Sequence, residues 1–222
     1  MKDKVVIITG GSRGIGKATV NYFLENDYQV VTSSTTGKLD YSHPNLTVYQ
    51  FDLGDQLSRD SFVKSLKSHG KIDCLINNAW WSAGRKTESS VDISLLQQGL
   101  TTNLIGTIDL TQKTIPLMNN NSVIINIASE YGSLTEDWGF VAPSYRIAKA
   151  GLNMFTRNIY QHQAITEANI KVYSFDPGWV KTDMGGLDAP RDPSEPAKEL
   201  FDLYLSDSPT GEFYRGLVKR SW

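Results

Sequence analysis

The chain has 222 residues, 40% hydrophobic and 21% charged, enough apolar mass for a folded core. That length suits one substantial α/β domain, and without a linker, repeat or low-complexity tract residues 1–222 read as a single domain. A formal net charge of −2 builds no basic face for nucleic acid or an anionic membrane, and no apolar run approaches a membrane span.

The lone cysteine, Cys74, cannot pair internally, and its neighbours in IDCLIN suggest a buried thiol. His43, His69 and His162 stand far apart without ligand spacing, so no metal site is expected. The first apolar run starts at Lys4, leaving no room for a signal peptide, and the expected location is cytoplasmic.

Short β-branched runs alternate with longer helical stretches. KVVIIT (4–9) is a continuous apolar run of strand length, as expected when helices cover both faces of a sheet. A helix follows in GKATVNYFLEN, and then a strand in YQVVTSS (28–34). The next connection, TTGKLDYSHPN, has eleven residues and several helix breakers, too few for a crossover helix. Further strands are read at 46–52, 73–79, 122–129 and 170–176, and helices at about 56–68, 93–118, 145–168 and 194–206. This alternation predicts an α/β fold: a doubly wound, Rossmann-like parallel sheet whose helix between strands 2 and 3 is short or absent.

Between the first strand and first helix lies TGGSRGIGKA. Its glycines at 10, 14 and 16 allow a sharp turn and close approach of a ligand, and the helix start behind them offers N–H groups to a pyrophosphate. The second strand ends in Ser33, Ser34, Thr35 and Thr36, where an NAD site usually carries an acid. Hydroxyls there, with Arg13 and Lys38 nearby, suit a 2′-phosphate, so NADP is the expected cofactor. Tyr145 and Lys149 in SYRIAK are four apart, on one face of a helix.

Taken together, TGGSRGIG, NNAW (77–80), SYRIAK and DPGWVKTDM (176–184) occur in the order of the short-chain dehydrogenase/reductase family, which this chain resembles over nearly its full length, especially the carbonyl-reductase-like members. The resemblance implies hydride transfer between NADP(H) and a ketone, aldehyde or alcohol. It makes Tyr145 the general acid, Lys149 the cation that favours the phenolate and holds the nicotinamide ribose, Ser129 the donor to the substrate oxygen, and Asn103 the holder of a water near Lys149. Ser133 lies close enough to Ser129 to compete for its role. Cofactor contacts implied by the resemblance are Gly10, Ser12, Arg13, Gly14, Ile15, Gly16, Ser34, Thr35, Asp52, Leu53, Asn78, Ala79, Tyr145, Lys149, Pro177, Gly178, Val180 and Thr182.

Trp80 departs from the pattern by replacing the glycine after NNA, and its ring must point away from the cofactor for ordinary binding. Trp80, Trp81, Trp138 and Trp179 all fall in segments expected at the C-terminal ends of the strands, which predicts an aromatic-lined pocket. The stretch 183–195, rich in Gly, Pro and charge, reads as a mobile lid. Leu152, Met154, Phe155 and Ile159 put apolar residues on more than one helix face, and the resemblance allows a homodimer or homotetramer as well as a monomer. Two rivals use the same fold: a non-catalytic NADP(H)-binding regulator, and an epimerase or lyase that uses the cofactor transiently.

Overall fold

A computed structural model describes residues 4–82 and 90–222. Its eight strands form one sheet in the order β3-β2-β1-β4-β5-β6-β7-β8, parallel throughout except for the last pair. The first six are β1 (Val5–Ile8), β2 (Gln29–Ser34), β3 (Leu46–Gln50), β4 (Ile72–Asn77), β5 (Met118–Ile127) and β6 (Lys171–Phe175). The chain runs outward from β1 to β3, then crosses back to β4 and continues the other way. The reversal opens a crevice at the carboxyl ends of β1 and β4, where open α/β sheets bind ligands.

Every side chain of β1 is buried, and alternate residues serve opposite layers. Val6 and Ile8 pack with Val20, Phe23 and Leu24 of α1 (Gly14–Glu25) and with Phe201 and Tyr204 of α7 (Ser194–Leu205). Val5 and Ile7 face Phe62 and Leu66 of α2 (Gln56–Leu66), Leu110 of α4 (Gly106–Thr114) and Ile159 of α5 (Pro143–Ile159). Phe23 is fully buried and meets Tyr28, Phe201 and Tyr204 at ring-centroid distances of 5.1–5.6 Å. Burying one such ring contributes about 1.5–3 kcal/mol.

No helix joins β2 to β3, as the short connection predicts. Tyr41 fills part of that gap instead, packing on the α1 layer and donating its hydroxyl to Gly11 O at 2.7 Å.

Several boundaries differ from the sequence reading. The helix expected over 145–168 divides into α5 and α6 (Gln163–Glu167), because His162 leaves the helical path and its ring accepts from the Ala164 N–H. The stretch expected as one helix over 93–118 is α3 (Ile93–Gly99), a π-helical turn Leu100–Ile105, α4 and a final 3₁₀ turn. Strand β5 starts at Met118, four residues before the expected position. The strands β7 (Glu212–Arg215) and β8 (Val218–Lys219) were not expected; β7 adds in parallel to β6 and β8 turns back on it. Of the apolar residues expected on more than one face of α5, Leu152 and Ile159 are buried, while Met154 is exposed.

Candidate active site

Helix α1 begins at Gly14 with no side-chain cap from Arg13, whereas Asp55 and Asp92 cap α2 and α3. Its first-turn N–H groups are left for another acceptor, with the positive end of the helix dipole behind them. The turn before it is cleared of side chains. At Gly16 a Cβ would lie 2.1 Å from Gly10 O, and Gly10 itself has φ +73° with Ala79 Cα 3.0 Å from its missing Cβ. Thr9 and Asn78 lock this turn to β4: Asn78 Nδ2 donates to Thr9 O and Gly10 O, and Thr9 Oγ1 accepts from the N–H groups of Asn78 and Ala79. Thr182 lies across from Gly14, 3.1 Å from where a Cβ would stand. Such a cradle fits a pyrophosphate.

Arg13 and Thr35 are exposed at the far side of the turn, and Arg13 pairs with Asp183 at 2.8 Å, both groups over 70% exposed. Ser12 is also exposed, and Ile15 packs against the α1 layer. Ser34 is buried, accepting from Lys38 N–H and donating to Lys38 O, so it shapes the turn after β2. Ser33, absent from the predicted contacts, accepts from Gly10 N–H at 3.1 Å. Asp52 is exposed and folds back on Gly54 N–H, while Leu53 is buried beside it.

Past β6, Asp176 Oδ1 accepts from Gly178 N–H, and Val180 bridges to Arg191. Arg191 donates to Pro177 O and pairs with Glu199. The segment expected as a lid is therefore stapled at both ends: Thr182 binds Gly185 and Gly186 at one, Arg191 holds the other, and Leu187 stands out at the tip.

At the carboxyl end of β5, Ser129 and Tyr145 lie within hydrogen-bonding reach of each other through their hydroxyls. Ser133, its rival, turns instead to Thr135. Lys149, one turn along α5 from Tyr145, is buried and donates to Ile127 O at 2.5 Å. Burial pushes the Tyr145 phenol up to about 12, against the opposing bond from Ser129. This corrects the expectation of a phenol lowered by Lys149. The lysine is itself pulled down to about 7 by burial, with Asp176 acting the other way. A half-charged ammonium near neutral pH cannot offset the desolvation of the phenolate.

Asp176, 1% exposed, is paired with Arg215 of β7, which also binds Glu130 at 2.7 Å. This charged group near Lys149 was missed in the sequence, where Glu130 and Arg215 lie 85 residues apart. Asn103 lies in the π-helical turn and is 2% exposed. Both ends of its amide are taken by Trp81, which donates N–H to Oδ1 at 2.7 Å and accepts from Nδ2 at 2.9 Å. The side chain thus braces the loop after β4, and its own carbonyl accepts from Thr107.

Trp80 does not point away. Its ring lies over Lys149, 3.7 Å from Nζ to the centroid, and meets the Tyr145 ring edge-to-face at 5.3 Å. Tyr131 joins the same row, touching Tyr145 on one side and Trp138 on the other. Trp179 is half exposed and donates to Gly185 O. Tyr131 also borders an apolar cleft of about 250 Å³ with Leu134, Phe140, Val141, Pro143 and Ile147.

The short-chain dehydrogenase family model matches residues 4–191. The chain belongs to that family. It is 32% identical over 190 residues to benzil reductase ((S)-benzoin forming) of Bacillus subtilis, covering 82% of this chain and 76% of the relative. Among solved structures it is similar to NADPH-bound carbonyl reductase from chicken fatty liver, with TM-score 0.86, 28% identity and 99% of each chain covered. The carbonyl reductase Sniffer of D. melanogaster shares the fold at TM-score 0.86 over the whole of both chains, with 24% identity. The chain is thus an oxidoreductase of the short-chain dehydrogenase family with a Rossmann-like fold. Among the described residues, no helix is long and apolar enough to cross a membrane.

Proposed function

We propose that the protein is an NADP(H)-dependent reductase of apolar ketones or aldehydes, acting through Tyr145. The meeting of Ser129, Tyr145 and Lys149 beside an uncapped, glycine-cleared helix start is the observation that carries this reading. A phenol held near 12 is protonated at neutral pH and is poised as an acid, which favours carbonyl reduction over alcohol oxidation. Ser129 donates to the substrate oxygen as negative charge builds there, and Tyr145 delivers the proton. The bound cofactor would supply the hydride. Gly10, Gly14, Gly16 and the α1 N-terminus would hold its pyrophosphate, Arg13 its 2′-phosphate, and Lys149 its nicotinamide ribose.

The aromatic row Trp138–Tyr131–Tyr145–Trp80 and the adjacent cleft support a bulky apolar substrate. The relative named for benzil reduction points the same way. The reading treats the chain as one catalytic domain working in the cytoplasm. Its test is NADPH consumption with a panel running from small aldehydes to aromatic ketones. Turnover that rises with aromatic bulk is expected. Tight NADPH binding with no turnover of any carbonyl would replace it with the regulator reading.

A further inference from the structure

Trp80 is pinned on both sides. Ala79 N–H donates to Thr9 Oγ1 at 2.9 Å, and Trp81 is held through its N–H and its carbonyl by Asn103. With its neighbours fixed, the residue can swing its ring far more easily than shift its backbone. That ring lies face-on to the Lys149 ammonium and edge-on to Tyr145. An ammonium has three donors; one reaches Ile127 O, the indole lies over the group, and Lys149 as a whole is 4% exposed. A hydroxyl approaching Lys149 from the side of Tyr145 therefore meets the indole first.

We propose that Trp80 is a built-in competitor for the nicotinamide end of the cofactor: its indole occupies the ammonium that the ribose hydroxyls need, and binding requires the ring to turn aside. The proposal rests on the NADP(H) reading above. The glycine turn is unaffected, since its own contacts run through Thr9, Ser33 and Asn78. The competition therefore acts on one half of the dinucleotide only. A shielded cation on an indole face is a contact whose displacement weakens binding by about 3- to 30-fold.

Calorimetric titration of the wild type, Trp80→Gly and Trp80→Phe tests this with two ligands. NADPH reaches both ends of the site; 2′,5′-ADP carries the adenosine and phosphates but no nicotinamide ribose. Trp80→Gly should bind NADPH about 3- to 30-fold more tightly, and Trp80→Phe by a smaller factor because a phenyl face holds a cation less strongly. All three proteins should bind 2′,5′-ADP alike. Unchanged or weaker NADPH binding in Trp80→Gly, with 2′,5′-ADP unaltered, overturns the proposal. So does an equal change for both ligands, which would locate the effect away from Lys149. If no protein binds either ligand, the NADP(H) reading fails first and the competitor falls with it. Should Trp80→Gly not fold, Trp80→Leu takes its place on the same criteria.

Discussion

At the glycine turn, side chains are removed so that backbone N–H groups stand open; at Lys149, a large side chain is brought in and covers a buried cation. Thr9, Ser33 and Asn78 use their hydrogen bonds to hold the turn in shape. Around Lys149, Trp80 and Tyr145 pack ring against ring, and the price of that packing is desolvation of both titrating groups. On the NADP(H) reading proposed above, the phosphate end is preformed, whereas the reaction end must rearrange before a ribose can reach it. The difference teaches that a preserved binding turn and a preserved catalytic set need not be ready at the same moment.

The sharpest way to separate the ends is Tyr145→Phe. Only a transferable proton is lost, so turnover should fall about 100- to 10,000-fold while the NADPH dissociation constant moves little. Retention of more than about a tenth of the wild-type rate would remove Tyr145 from the role of acid.

A second, smaller effect belongs to the phosphate end. Arg13→Ala should lower the preference for NADPH over NADH by roughly 10- to 150-fold, the worth of one charge-assisted hydrogen bond. The exposed pair with Asp183 contributes about 1 kcal/mol or less, so the melting temperature should hardly change. Equal weakening of both nucleotides would show that Arg13 does not read the 2′-phosphate.

The smallest effect is a shift along the pH axis. Lys149, lowered to about 7, is charged below that pH and neutral above it. If its charge assists reduction, kcat/KM is level on the acid side and falls as pH rises through about 7, while Tyr145, near 12, stays protonated throughout. Asp176 favours the charged lysine, so Asp176→Asn should move the break to lower pH. A break that stays in place would mean that Asp176 does not act on the titrating group.

Strands β1, β4 and β6 were legible because parallel strands covered on both faces are written as largely apolar runs. The start of β5 was not: Met118 is followed by three asparagines, which carry no apolar signal yet extend the strand. EFYR of β7 is four residues long and sits in a polar tail, so nothing in its pattern marks a strand. In the site, Ser129, Tyr145 and Lys149 were readable through the resemblance to a known family, not from their spacing alone, and the structure brings them together. The direction of Trp80 was not, since a rotamer is decided by what surrounds it, here an ammonium and a phenol distant in the chain. The phenol's raised pKa escaped for a related reason: sequence shows which charges are near along a helix but not how far water is excluded. Asp176 and Arg215 lie 39 residues apart and join only because β7 docks beside β6.

The packing of α7 on α1 also has a bearing on how the protein is made. Phe23 and Tyr28 are synthesised well before the rings that complete their layer, Phe201 and Tyr204. Lys4 and Tyr204, 200 positions apart, meet at the edge of the same layer. Until α7 is made, α1 therefore carries an uncovered aromatic face, the kind of surface that chaperones hold. A ribosome stalled before Ser194 would present a sheet whose α1 layer still lacked Phe201 and Tyr204.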